Sequence, residues 1–210
     1  MIRTPPPSLR ISPSVLYFGT PVALITTRNA RGEPNISPMS SVWALGDRLV
    51  LGMAEASQGC ENLLASREAV VNLPGPAQCA AVEALAPTTG RQPVPEHKLA
   101  MGYRHEADKF SLARLSALPS SQVAAPRIGE CPLQIEVRLL AAHTATTLDD
   151  GDEPGFMLLE VQALQVHAHE SVVVPHTQHI RTDTWSPLLY VFRHYFGTGG
   201  RLGRNFRAET

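Results

Sequence analysis

Four stretches of the sequence concentrate residue types able to do chemistry. The first is Asn35-Ile36-Ser37-Pro38-Met39-Ser40-Ser41. Small hydroxyls beside a proline leave backbone N–H groups and Oγ atoms free to bond the heteroatoms of a planar ligand. The same run also suits a polar edge strand. The second is Ala54-Glu55-Ala56-Ser57-Gln58-Gly59-Cys60-Glu61-Asn62, between an apolar segment and the start of a helical period. Free N–H groups at a helix N-terminus attract phosphate, and Ser57 and Gly59 permit close approach; simple capping would use the same residues. The third is rich in histidine: His167, His169, Glu170, His176 and His179. His167 and His169 share one strand face and could supply two metal ligands, or that face is simply solvated. The fourth holds Lys98, Tyr103, Arg104, His105, Asp108 and Lys109, a local cationic patch that either meets an anionic ligand or solvates a loop.

Other chemistries fall away. A Walker lysine and a GxGxxG are both missing, which disfavours P-loop and Rossmann nucleotide sites. No Ser-His-Asp or Cys-His arrangement stands out. The three cysteines, Cys60, Cys79 and Cys131, are odd in number and far apart, so neither a disulfide framework nor a CxxC zinc site is supported. Cys60 falls on a helix stripe and reads as a core residue. Free thiols point to a reducing compartment, the cytoplasm. A net charge of −1 provides no bulk field toward nucleic acid or an anionic membrane. Apolar runs are only a few residues long, too short for a bilayer, and the N-terminus lacks the apolar core of a secretory signal.

These groups must be positioned by short elements. Proline (18) and glycine (15) are abundant in 210 residues, with proline carrying the excess. That favours short strands and turns over a helix bundle. Residues 1–14 read as an arm, 15–197 as one domain with a long excursion at about 87–131, and 198–210 as a flexible tail. Residues 22–27 read as a buried strand, 29–34 as a turn, and 36–45 as a second extended segment with Pro38 at an edge or bulge. After a turn at Gly46-Asp47, residues 49–53 are apolar on both faces and predict a central strand. The period then changes: Cys60, Leu63, Leu64 and Arg67 predict a helix over about 57–68. A strand at 70–73 closes at Pro74, and a second helix fits 78–85. In 133–140 the odd positions are apolar, so Gln134, Glu136 and Arg138 are expected to face solvent. From Phe156 the apolar set occupies odd positions up to Ala163 and even positions from Leu164, which predicts a β-bulge near Ala163. The last element reads as a helix. Asp183 or Thr184 caps it, Pro187 falls in its first turn, and Trp185, Leu189, Phe192 and Phe196 form its stripe. Trp43 would wall a ligand or fill a barrel core. The fold class is mainly β, a closed or nearly closed barrel.

In this order the pieces resemble the flavin reductase-like FMN-binding family with the split-barrel fold, from about residue 18 to 196. The carrying residues are PVALITT (21–27), GEPNISPMSS (32–41), LVLGMAEASQGCENLLASREAVVNLP (49–74), TTG (88–90), MGYRHEADKF (101–110), APRIGECPLQIEV (125–137) and PLLYVFRHYFG (187–197). The resemblance implies a Greek-key split barrel with a few short helices and a C-terminal helix. It also implies a homodimer with one FMN at each subunit interface, FAD being the alternative flavin. Ser37, Pro38, Met39, Ser40 and Ser41 would border the isoalloxazine ring. Ser57, Gln58, Gly59 and Asn62 would lie near the ribityl phosphate, Lys109 would approach the flavin, and His194 and Tyr195 would pack near the ring or the dimer contact. Many relatives carry a threonine where Gly59 stands, and a basic residue earlier in the same turn, where this chain has Glu55. A carboxylate near a phosphate is unfavourable unless it points away, so the compensating cation would be Lys109, Arg104 or Arg91. The implied activity is an NAD(P)H:flavin oxidoreductase that passes a hydride to flavin N5 and supplies reduced flavin to oxygen or a monooxygenase partner. The cofactor carries that chemistry, so no catalytic side chain is expected. Two other readings stay open from residues alone. One is a non-catalytic flavin carrier or sensor on the same barrel; the other is a metal-dependent barrel enzyme using His167, His169, Glu170 and His179.

Overall fold

The structure is a computed structural model and describes residues 6–145 and 155–205. In chain order the first strands are β1 (Phe18–Pro21), β2 (Ala23–Arg28), β3 (Pro34–Met39), β4 (Val42–Leu45) and β5 (Arg48–Ala54); helix α1 (Gln58–Ser66) leads into β6 (Glu68–Leu73). Helix α2 (Cys79–Leu85) opens the excursion. Its elements are short: β7 (Thr88–Thr89), α3 (Glu96–Ala100), β8 (Arg104–His105), α4 (Lys109–Ala113), β9 (Ala117–Leu118) and β10 (Arg127–Ile128). Two long strands follow, β11 (Leu133–Thr144) and β12 (Phe156–Ala168), then β13 (Leu189–Val191) and β14 (His194–Phe196). The arm expected at 1–14 is exposed and without regular structure over 6–14, as is the tail over 198–205. The ends of both expectations, 1–5 and 206–210, lie outside the described residues.

Seven strands form one antiparallel sheet in the order β3-β2-β6-β11-β12-β5-β4. Its two edges, β3 and β4, are one stretch of chain broken only at Ser40-Ser41. The segment expected at 36–45 is therefore a single bent run that carries the chain from one edge of the sheet to the other, with β3 and β4 each paired on one side only. Pro38 is tolerated because β3 pairs only with β2. Inside the barrel sit Ala23, Ile25, Leu49, Leu51, Met53, Val71, Val137, Leu139, Leu159 and Val161, with Cys60 and Leu63 of α1 closing one end. Cys60 is fully buried, as its stripe position predicts, and burial raises its thiol pKa. The bulge falls where the phase slips. Glu136 faces Gln165 but Val137 faces Ala163, so Leu164 is the extra residue.

Two expectations are corrected. No helix forms over 183–197: β13 and β14 make a hairpin whose turn residues Phe192 and Arg193 have φ +44° and +71°. Leu189 and Val191 alternate with Tyr190, and pairing of β13 with both β1 and β14 satisfies the backbone through long-range bonds that the helical spacing does not reveal. The helical spacing of Trp185, Leu189, Phe192 and Phe196 is coincidental.

The second correction concerns Gln134 and Glu136, which are buried. The segment 119–128 straps over that face of the barrel. Glu136 accepts the N–H groups of Ser121 (2.9 Å), Gln122 and Val123 (3.2 Å), and lies 2.6 Å from His167 Nε2. Asn72 Oδ1 accepts from Ile128 N–H (2.8 Å), and Thr26 Oγ1 donates to the Pro126 carbonyl. Burial pushes the Glu136 pKa up, but the backbone donors, His167 and the Ser121 hydroxyl outweigh it and hold it below the usual carboxylate range.

Candidate functional site

A cleft of about 460 Å³ opens where the β3–β4 bend meets the N-terminus of α1. Its floor is Ser37, Pro38, Met39, Ser40 and Ser41, with Gly52, Met53 and Ala54 of β5 beside them. The bend is fixed by the Gly52 N–H donating to the Ser41 carbonyl at 2.8 Å. Ser57 and Gln58 form the next wall. Ser57 caps α1: its backbone is extended and its Oγ accepts the Cys60 N–H at 3.2 Å. The first two N–H groups of the helix, from Gln58 and Gly59, have no partner within it. Gln58 Nε2 donates to Asn62 Oδ1 (2.8 Å), and Asn62 Nδ2 donates to Thr27 Oγ1 (3.1 Å). Asn62 is thus a buried strut that ties α1 to β2 and is not itself part of the cleft lining. Gly59 lies beneath the lining as well.

The roof comes from the excursion and the C-terminal hairpin: Thr88, Thr89, His97, Lys98, Tyr103 and Lys109, then Tyr17, Tyr190 and Tyr195. Lys109 opens α4, whose N-cap Asp108 accepts the Ser111 N–H at 3.0 Å. Its side chain is only 3% exposed, and its Nζ donates to the Ile36 carbonyl at 2.7 Å. Among the described residues no carboxylate pairs with it. Burial, then the neighbouring Lys98, pushes its pKa down to about 8, against a small pull from Glu106. Lys98 stands 5.7 Å from the centre of the Tyr103 ring, and its own pKa is lowered by burial and by Arg91. The cleft therefore holds surplus positive charge in a poorly solvated place.

The other expected cations are used elsewhere. Arg91 braces the approach to α1, with Nε donating to the Ala56 carbonyl (3.1 Å) and Nη1 on Glu61 (2.6 Å). It lines a second groove of about 900 Å³ that shares only Asn35 and Gln58 with the cleft. Arg104 is exposed and borders neither space. Glu55, the carboxylate that would oppose an anion, is exposed and outside the cleft lining.

His194 is exposed on β14 and outside the cleft lining; Tyr190 and Tyr195 of the same hairpin reach it instead. Trp43 is 56% exposed on the outer barrel face, so it neither walls the cleft nor fills the core. Two of the candidate histidines are held in structural bonds. His167 meets Glu136, and His169 Nε2 sits 2.8 Å from the Gly129 carbonyl. Among the described residues no three His, Cys, Asp or Glu side chains gather as a metal site. Sequence reasoning missed Tyr17, Tyr190 and His97 as lining residues, while Met101 belongs to the 101–110 segment that the resemblance brings to the flavin. For Tyr17 no local signal exists, because it reaches the cleft through the pairing of β1 with β13; its ring lies 5.2 Å from that of Tyr190.

Comparison with known proteins places this geometry in context. A family model described as a flavin reductase like domain matches residues 15–199. The chain is 40% identical over 200 residues to the uncharacterized protein YdfE of Bacillus subtilis (strain 168), covering 95% of this chain and 94% of that one. Its fold is similar to that of flavoredoxin from Desulfovibrio vulgaris (Miyazaki F), with a TM-score of 0.74, 18% identity, and 95% and 99% of the two chains covered. Nitrilotriacetate monooxygenase component B from Bacillus cereus follows at a TM-score of 0.72 and 18% identity, over 91% and 89%.

Proposed function

Because the chain belongs to the flavin reductase-like family, we propose that its cleft binds a flavin, FMN before FAD, and that the protein is an NAD(P)H:flavin oxidoreductase. The observation that carries this reading is Lys109: a buried ammonium with no carboxylate paired to it among the described residues, lining a cleft of ligand size. A buried cation left unpaired is costly, and an anionic ligand relieves that cost. The residues present fit the group. Ser37 to Ser41 supply a flat wall with hydroxyls, Gln58 and Gly59 bring the free N–H groups of α1, and Lys109 brings charge. Gly59 and Asn62 support that wall from behind.

A bound flavin supplies the hydride-accepting centre for a nicotinamide donor. The chain's own part is binding and orientation. The edge strand β3 presents the side of its backbone away from β2, the Tyr17, Tyr190 and Tyr195 rings exclude water, and Lys109 holds negative charge in place. No nucleophile or acid–base pair is needed.

The reading includes a homodimer. Trp43, Val50, Phe156 and Leu158 share the outer face of β4, β5 and β12, with Glu160 across from Val50 at the margin of the patch. Trp43, Phe156 and Leu158 are each at least 41% exposed. Ser41 and Gly52 belong both to that face and to the cleft lining, so a second copy docking there would border the site. Reduced flavin would pass to oxygen or to a partner monooxygenase; the likeness to a monooxygenase component B supports that recipient. Free thiols at Cys60, Cys79 and Cys131 support a cytoplasmic setting. Among the described residues no helix is long and apolar enough to cross a membrane.

The test is the visible spectrum of the purified protein, titrated with FMN and FAD, followed by oxidation of NADH and NADPH with flavin supplied. Failure to bind either flavin overturns the reading. Binding without nicotinamide oxidation would leave a flavin carrier.

A further inference from the structure

Ser37 and Gly59 share one small space. A Cβ added at Gly59 would overlap Ser37 Oγ and come within 3.0 Å of Met53 Cε and 3.2 Å of Ser37 Cβ. No side chain can stand at 59 while Ser37 keeps its place against the first turn of α1. On its other side Ser37 Oγ accepts a hydrogen bond from Asn35 Nδ2 at 3.1 Å. The Asn35 amide is itself confined, since a Cβ at Gly90 would stand 2.6 Å from its Oδ1 and 3.1 Å from Gln58 Cγ. Two glycines thus clasp the Asn35–Ser37 pair, one on each side.

The clasp decides which way the hydroxyl bonds. A serine has one proton to give. Asn35 fills an acceptor position, and Ser37 Oγ donates to no group among the described residues. Both residues line the cleft. Resting on the flavin reading above, we infer that Ser37 is a hydrogen-bond donor to the bound flavin and that Gly59 is required because it leaves room for that hydroxyl. Gly59 acts as a positioning residue through Ser37, and Asn35 orients the pair.

A double-mutant cycle tests this. FMN affinity is read by quenching of flavin fluorescence for the wild type, Ser37→Ala, Gly59→Ala and the double variant, with the melting temperature of each. Loss of one uncharged donor weakens FMN binding about 3- to 10-fold. Gly59→Ala weakens it by a similar factor because its methyl displaces the hydroxyl, and the double variant binds no worse than either single one. Ser37→Ala also leaves the buried Asn35 Nδ2 unpaired and lowers the melting temperature of the ligand-free protein. Affinity is therefore read well below every melt, and the non-additivity of the two substitutions in FMN binding separates a ligand contact from a structural one. If Gly59→Ala does not fold alone, it folds in the Ser37→Ala background, where the overlapping oxygen is gone. Wild-type affinity in Ser37→Ala, or losses that simply add, would overturn the inference while leaving flavin binding intact. A wild type that binds no flavin at all defeats the earlier reading instead.

Discussion

Replacing Lys109 with methionine separates the cost of burying its ammonium from its use. The side chain keeps its length, loses its charge and gives up the bond to the Ile36 carbonyl. Folding pushes the lysine pKa from 10.5 to about 8. At 1.36 kcal/mol per unit this corresponds to about 3 kcal/mol by which the protonated lysine opposes folding. The sign follows from proton binding. Between pH 8 and 10.5 the unfolded chain holds this proton more often than the folded one, so stability rises with pH across that window. Below pH 8 the cost is present in full. Urea unfolding of wild type and Lys109→Met, taken at pH 7 and again near 10.5, gives the comparison. The variant should be about 2 kcal/mol more stable at pH 7, once roughly 1 kcal/mol is allowed for the lost Ile36 bond. Its advantage should disappear at the higher pH, because other titrating groups cancel in the difference. FMN binding should fall by roughly tenfold or more, the usual loss for a bond to a charged group. In the wild type, binding should weaken as pH passes 8. A difference between the two proteins that does not change with pH would refute the reasoning, because it would mean that the ammonium is solvated or paired when the chain is folded.

Two further outcomes follow from the strap and the outer face. Glu136→Gln removes the charge on which the Ser121, Gln122 and Val123 N–H groups converge, and should cost about 2 kcal/mol, or roughly 4–8 °C in melting temperature. Because Glu136 is held below its ordinary 4.5, its contribution is present above that pH and lost as pH falls through the folded value; acid melts of the variant should lack this component. Trp43→Glu places a charge in the exposed apolar patch, and sedimentation should show a dimer for the wild type, as proposed, and a monomer for the variant; the same oligomer in both would remove that face as the interface.

What the sequence determined by itself was whatever local pattern can carry. The alternation in 133–140 and 156–168 set two long strands, and the phase slip at Ala163–Leu164 located a bulge to within one residue. Ser57 followed by the Cys60–Leu63 stripe announced α1 and its cap. The hydroxyl run at 37–41 and the cap at 57–58 were visible as possible binding groups because their residue types and spacing are contiguous. Tertiary structure decided everything that depends on a distant neighbour. Periodicity reports that one face differs from the other and is silent on what covers the polar one, so Gln134 and Glu136 were assigned to solvent until 119–128 lay over them. Spacing alone could not tell a helix from a hairpin at 185–196. Two positive φ values at non-glycine residues and pairing with β1 settled it, and both are long-range outcomes. In sequence Lys109 is one of three candidate cations, with Arg104 and Arg91, and nothing local ranks them. Only packing of α4 against β3 buries it and places it, and not Arg91 or Arg104, in the cleft lining, where its charge is poorly solvated.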